Sequence, residues 1–244
     1  MKPIYACLDL DGAAVPESDP RYHMPSLRAA VSELFLERGL ELLEEVWHTF
    51  IDGVLGAPDP IELSNLTSRI DQRSVKTDPA ELTRRRIAWL EANCPLVQVT
   101  PGTDELIQLC VDSGGGATIV TNSGSAFTQW VVARRNWLIG EGLLVCSDHP
   151  SILPTAAFKP GMEPWKLGLR NIGARFCGTK VFVEDSLRCA IPAAESDYFD
   201  RGFLVAHNDD EAHAFEEGLR DKPKLARRLQ VVRDMNEVCS ILSA

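Results

Sequence analysis

From Val97 onward, short apolar segments alternate with stretches of helical periodicity, and that alternation constrains the fold more than any other feature of the chain. The spacing predicts a helix over 101–112, a strand over 117–121, a helix over 125–137 and a strand over 143–146. It continues with a helix over 163–172, a strand over 180–184, a helix over 187–196, a strand over 203–206 and helices to the end. Strands joined through helices pair in parallel, and a parallel sheet needs both faces covered. The segments 117–121 and 180–184 are apolar without alternation, as burial on both faces requires.

One further strand belongs to this sheet but lies far upstream. Ile4-Tyr5-Ala6-Cys7-Leu8 is an apolar run that stops at Asp9-Leu10-Asp11-Gly12. Side chains two apart on an extended chain share a side, so Asp9 and Asp11 point together beyond the strand end. Gly12 permits a sharp turn there.

Between this strand and Val97 the periodicity is helical throughout. Leu27, Ala30, Val31, Leu34 and Phe35 form one stripe, closed by Gly39. Leu42, Leu43, Val46, Trp47 and Phe50 form a second, closed by Gly53 and Gly56. A third helix begins at Asp59-Pro60 and a fourth at Asp78-Pro79, where Glu81 completes a capping-box pattern; the fourth runs to Asn93 and is stopped by Pro95. The expected fold class is therefore α/β: a Rossmann-like parallel-sheet core built from 1–15 and 97–244, with a four-helix insert over 16–96.

Composition narrows the function classes. At 244 residues, 45% of them apolar, the chain can bury a full core. A net charge of -10 argues against a nucleic-acid partner, which calls for a basic face. No run approaches the ~20 apolar residues of a membrane span, and the N-terminus lacks a secretory pattern, so the expectation is a soluble, cytoplasmic protein with no membrane partner. The seven cysteines are scattered and never in Cys-x-x-Cys spacing, which reads as reduced, mostly buried thiols.

In open parallel sheets ligands sit beyond the carboxyl ends of the strands, so the strand-end residues are the candidates for chemistry. Here they are Asp9 and Asp11, then Thr121-Asn122-Ser123-Gly124 at a helix start, then Lys159 before Pro160-Gly161, then Glu184-Asp185-Ser186. A nucleophile, a hydroxyl beside helix N-terminal amides, a cation and an acidic pair are the parts for phosphoryl transfer with magnesium. Mg²⁺ prefers oxygen ligands, which Asp9, Glu184 and Asp185 could supply.

In this order the four segments resemble the motifs of the haloacid dehalogenase-like hydrolase superfamily. Asp9-Leu10-Asp11-Gly12 matches its Asp-x-Asp-Gly motif, Ile119-Val120-Thr121-Asn122 its second, Lys159-Pro160 its third and Glu184-Asp185 its fourth. Thr103-Asp104-Glu105-Leu106 after Pro101-Gly102 is similar to the segment that follows a helical cap in the phosphoglycolate phosphatase and β-phosphoglucomutase branch, which implies that 16–96 is a cap. Asp9-Leu10-Asp11-Gly12-Ala13-Ala14-Val15-Pro16 is also similar to the pyrimidine 5'-nucleotidase-like branch.

The resemblance implies Asp9 as nucleophile and metal ligand, and Asp11 as general acid and then base, ligating the metal through its backbone carbonyl. It implies Thr121 and the Asn122 amide, with Leu10 and Gly12, around the phosphate, Lys159 balancing charge, and Glu184 and Asp185 completing a Mg²⁺ shell. A halide leaving group needs no proton, so Asp11 favours phosphate ester cleavage. The expected activity is hydrolysis of a small phosphorylated metabolite, a nucleoside monophosphate or a sugar or organic acid phosphate, by a monomer or homodimer. A β-phosphoglucomutase-like phosphohexomutase and a non-catalytic binding or regulatory member of the fold are the alternatives. Ala13, Ala14 and Cys189 depart from the pattern at positions that carry no assigned role.

Other polar residues read as structural. The histidines at 23, 48, 149, 207 and 213 lack ligand spacing and are expected at the surface or in packing, although Arg21, Tyr22 and His23 lie in the linker where substrate could be met. Arg84-Arg85-Arg86 with Trp89 reads as a solvated helix face rather than a phosphate clamp, and Trp47 and His48 are in the same position.

Overall fold

The computed structural model describes residues 2–16, 22–53, 58–174 and 177–244. Arg21 and Gly56 lie outside the described residues. Six strands form one all-parallel sheet in the order β3-β2-β1-β4-β5-β6. They are β1 Ile4–Leu8, β2 Gly116–Val120, β3 Leu144–Val145, β4 Thr179–Glu184, β5 Arg201–Val205 and β6 Leu229–Val232. The chain winds outward from β1 to β3 on one side and from β4 to β6 on the other, so the order reverses between β1 and β4. A crevice opens at such a reversal beyond the carboxyl ends of the strands.

The sheet is sandwiched between two apolar layers, and alternation along each strand divides the side chains between them. On one face Ala6, Leu8, Ile119, Val181, Val183 and Phe203 join residues of α5 (Thr103–Asp112), α6 (Ser125–Arg135) and α11 (Met235–Ser243). On the other, Cys7, Val120, Phe182 and Leu204 meet α7 (Glu163–Asn171) and α8 (Leu187–Glu195), with Leu219 of α9 (Asp209–Leu219) and Leu225 of α10 (Pro223–Ala226) at its edge.

Between β1 and α5 run α1 (His23–Leu36), α2 (Glu44–Ile51), α3 (Asp59–Asp71) and α4 (Pro79–Asn93). Their inward residues, among them Leu27, Val31, Phe35, Trp47, Phe50, Leu66, Ile70 and Leu82, form a cluster separate from both sheet layers. The expected stripes find their partners within the insert, except that Leu43, just before α2, is exposed. At α4 the Asp78 carboxylate accepts the Glu81 amide at 2.8 Å, but Glu81 turns its own carboxylate to Arg84 and Arg85, so only half of the capping box forms.

The C-terminal segment expected as helices alone contains β6. Leu229 and Val232 are buried and Gln230 is exposed, and the four residues extend the sheet by pairing with β5. A strand this short, between a four-residue helix and α11, leaves too little periodicity to separate it from helix. All seven cysteines are free thiols; four are buried and Cys177 is exposed. No helix among the described residues is long and apolar enough to cross a membrane.

Candidate active site

β1 and β4 pair through Leu8 and Val183, and the Asp9 amide extends the pairing to the Val183 carbonyl at 2.9 Å. Asp9 and Glu184 therefore leave adjacent strands side by side at the point where strand order reverses. Lys159 reaches between them: its Nζ lies 2.5 Å from Asp9 Oδ1 and 2.8 Å from Glu184 Oε2. All three side chains are buried, and the Lys159 ammonium also stands 5.1 Å from the centre of the Trp165 ring. Asp9, Glu184 and Asp185 offer carboxylate oxygens that all lie within 4.8 Å of one another.

Three carboxylates around one ammonium are under strain of charge. Burial, then the neighbouring Glu184, pushes the Asp9 carboxyl well above its ordinary value, against the opposing pull of Lys159. Burial, then Asp9 and Glu184, pushes Asp185 up to about 10. Burial works to strip Lys159 of its charge, but Asp9 and Glu184 outweigh it and hold the ammonium above its ordinary range. An oxygen-only donor set, Asp9 and Glu184 buried and Asp185 half-buried, with more negative charge than one lysine can balance, fits a hard divalent cation such as Mg²⁺.

The loop after β1 is folded by its own amides: Gly12 donates to the Val15 carbonyl and Val15 to the Leu10 carbonyl, each at 2.7 Å. Gly12 has φ +87°, and a Cβ there would fall 1.8 Å from Asp185 Oδ2, so the residue must be glycine for the acidic pair to sit where it does. The Leu10 side chain is fully buried in the sheet layer, which leaves its backbone alone for any phosphate contact. Ala13 and Ala14 are fully buried too, and Thr100 ties both carbonyls, its hydroxyl on Ala13 and its amide on Ala14. Their smallness therefore answers to packing. Cys189 is half-buried on α8, its thiol pushed up to about 11 by burial and then by Glu184.

Asp11 lies outside the acidic trio. The Ser123 hydroxyl donates to its Oδ2, and burial raises its carboxyl while that hydrogen bond lowers it. Thr121 accepts the Ser123 amide on Oγ1 at 3.0 Å, which leaves its hydroxyl proton to donate. Asn122 also holds a neighbouring loop. Its side chain clamps the Lys159 backbone, accepting that amide at 3.1 Å and donating to that carbonyl at 3.3 Å, so only its own backbone amide is left for an anion. The Lys159-Pro160 peptide is cis.

Two parts of the site escaped the sequence. His207, expected as a surface or packing residue, donates from Nε2 to the Gly12 carbonyl, tying the loop after β5 to the loop after β1. It follows a strand end, the same signal that exposed Glu184. The larger omission is in the insert. Arg86, expected on a solvated face, is 3% exposed and bonded to Ser26, His23 and Asp59 beneath the Phe127 ring. His23 also meets Glu62 at 2.9 Å, so it packs into this network instead of standing free for substrate. Arg85 is engaged by Glu33, Glu37 and Glu81, whereas Arg84 is the solvated member.

Tyr22 is buried as well, its hydroxyl bridging the Leu96 carbonyl and the Gln98 amide across the two connections of the insert. Trp47 is buried in the insert cluster and His48 is exposed beside Glu44, so neither reaches the site.

No protein-family model matches the chain, and no curated protein matches it in sequence. Solved structures do match in shape. The HAD-hydrolase YfnB of Bacillus subtilis, a structure bound to magnesium, superposes over 100% of both chains with TM-score 0.55 at 16% identity. L-2-haloacid dehalogenase from Xanthobacter autotrophicus superposes over 100% of this chain and 99% of its own with TM-score 0.54 at 15% identity. CbbY from Rhodobacter sphaeroides, in complex with phosphate, covers 84% of this chain and 86% of its own with TM-score 0.50 at 19% identity. The fold is that of the haloacid dehalogenase-like hydrolases.

Proposed function

We propose that this haloacid dehalogenase-like chain is a Mg²⁺-dependent phosphatase that hydrolyses a small phosphomonoester through an aspartyl-phosphate on Asp9. The observation that carries this reading is the meeting of Asp9, Lys159, Glu184 and Asp185 at one crevice, with Asp11 held apart by Ser123. An Asp9 carboxylate oxygen attacks phosphorus; the new P–O bond forms as the ester P–O bond breaks, and protonated Asp11 gives its proton to the departing alkoxide. Water then attacks phosphorus and loses a proton to Asp11, and the bond from phosphorus to the Asp9 oxygen breaks. Phosphate leaves and both carboxyl groups return to their starting states.

The Thr121 hydroxyl and the backbone amides around Leu10, Gly12 and Asn122 hold phosphoryl oxygens, and Lys159 balances their charge beside the nucleophile. Asp9, Glu184 and Asp185, with the Asp11 carbonyl, would hold Mg²⁺, which when bound supplies the positive charge that the transferring phosphoryl group needs. A halide leaves without a proton, so the placement of Asp11 supports ester cleavage over dehalogenation. Residues 16–96 act as a cap domain on a core of 1–15 and 97–244, excluding bulk water from the crevice. The magnesium of YfnB and the phosphate of CbbY are compatible with this chemistry.

The test is release of phosphate from p-nitrophenyl phosphate with Mg²⁺, repeated with EDTA and with Asp9→Asn. Activity that needs Mg²⁺ and vanishes in Asp9→Asn is the expected result, and full activity in Asp9→Asn ends the proposal. Conversion of glucose 1-phosphate to glucose 6-phosphate without net phosphate release would replace hydrolysis by a mutase reaction on the same residues.

A further inference from the structure

A carboxylate of the insert is built into the loop that holds Asp11. Asp59, the first residue of α3, donates its amide to the Asn122 carbonyl at 3.1 Å and accepts the Gly124 amide on Oδ2 at 2.8 Å. Between those two contacts lies Ser123, whose hydroxyl donates to Asp11. Both bonds from Asp59 thus brace the short loop that carries the hydroxyl, one on each side of it.

The brace is itself held. Arg86 Nη1 stands 3.4 Å from the same Asp59 oxygen, while its other nitrogens are fixed by Ser26 at 3.2 Å and His23 at 2.8 Å. Asp59 is buried and Arg86 more so, which removes the competing water that makes a surface ion pair weak. Gly124 also caps α6, so the Asp59 carboxylate meets an unpaired helix N-terminal amide, the end at which negative charge is favourable. A Cβ on Gly124 would approach Asp59 Oδ2 to 3.0 Å, which shows how closely the two segments are fitted.

We propose that Asp59 is a positioning residue for the proton carrier Asp11, acting through the braced Asn122–Gly124 loop and the Ser123 hydroxyl. The inference rests on the reading of Asp11 as general acid. Asp59 makes no hydrogen bond to Asp11 or the acidic trio and meets the phosphate-site loop only at the Asn122 carbonyl and the Gly124 amide; it sets where Ser123 stands, and Ser123 sets how Asp11 faces the leaving oxygen. Docking of the insert on the sheet domain is thereby linked to proton delivery as well as to shielding of the crevice.

General acid catalysis matters only where the leaving group needs a proton. A nitrophenolate departs without one and a simple alkoxide does not, so the ratio of kcat/KM for an alkyl phosphate to that for p-nitrophenyl phosphate reports on Asp11. Asp59→Asn and Ser123→Ala are each expected to lower this ratio by about tenfold, a part of the full general-acid effect. The double variant should fall no further than the worse single, and Ser123→Thr should restore the ratio.

A purely structural role predicts something else: equal losses on both substrates, additive in the double variant, and either of those results overturns the proposal. Should Asp59→Asn fail to fold, Asp59→Glu keeps the charge beside Arg86 but displaces the acceptor, and the same ratio is read. Asp11→Asn is the reference. If it too loses both activities equally, the general-acid reading falls and this inference falls with it; if it lowers the ratio while the Asp59 and Ser123 variants do not, this inference alone fails.

Discussion

Gly12 and Asp185 stand so close that the space for a single methyl group between them is already filled by the carboxylate. The turn after β1 and the acidic pair after β4 are therefore fitted to one another, and the fit depends on a backbone with φ +87° that L side chains rarely adopt. The consequence is that Asp185 can approach Asp9 and Glu184 without a neighbour pushing it away.

Gly12→Ala should break this fit. The added carbon forces either the turn or Asp185 to move, and a displacement near 1 Å at a reacting centre costs about a hundredfold in rate. A hydrolysis assay on purified Gly12→Ala should show a loss of that order together with weaker Mg²⁺ activation. Parent-like activity would mean that Asp185 is not part of the metal shell.

Lys159 makes a different kind of contribution, because it neutralises two buried carboxylates at once. Lys159→Met removes the ammonium while keeping most of the stem, so Asp9 and Glu184 face each other unpaired. Breaking a buried pair from one side costs about 3 to 5 kcal/mol, which urea unfolding in metal-free buffer should resolve, alongside loss of turnover. Lys159→Arg should not rescue either property, since a planar guanidinium does not replace a compact ammonium wedged beside Trp165. Unchanged stability in Lys159→Met would place the lysine in solvent.

The strand ends were legible from sequence because a buried apolar run that stops abruptly at a carboxylate or hydroxyl marks the carboxyl end of a parallel strand, where ligands bind. Asp9, Thr121 and Glu184 carry that signal, whereas Lys159 lies in the loop well past β3 and is marked only by its place before Pro160; the structure brings Asp9, Lys159 and Glu184 into direct contact. The network around Arg86 was not legible. Three consecutive arginines on a helix look alike in sequence, and only the packing of α4 against α1, α3 and α6 decides that Arg84 is solvated, Arg85 serves three glutamates and Arg86 is buried. Asn122 illustrates the same limit: its position beside Thr121 was clear, but its clamp on the Lys159 backbone depends on a loop from the other side of β3. β6 was lost because four residues carry too little periodic signal.

Those arginines can be separated experimentally. Arg86→Leu leaves Asp59 buried without its partner, and the change should cost about 3 kcal/mol or more by denaturant unfolding. Arg84→Ala, at a side chain open to solvent, should leave the unfolding midpoint unchanged. Equal effects of the two substitutions would contradict the burial difference.

The apolar cluster of α1–α4 shares no residue with either layer against the sheet, so damage to it should stay local. Leu66 is fully buried there, and Leu66→Ala leaves a cavity that costs about 2 to 5 kcal/mol depending on how far neighbours collapse. If residues 16–96 are a separately stabilised cap, hydrogen exchange in Leu66→Ala should accelerate over α1, α3 and α4 while amides of β1 and β4 keep their protection. The contacts that would spread the damage are the polar ones of Asp59 and Arg86 and the apolar ones of Tyr22, Leu90 and Cys94, which pack into the layer against the sheet. Uniform acceleration across the sheet would show instead that insert and sheet unfold as one cooperative unit, and that docking of the insert carries more of the stability than its own core does.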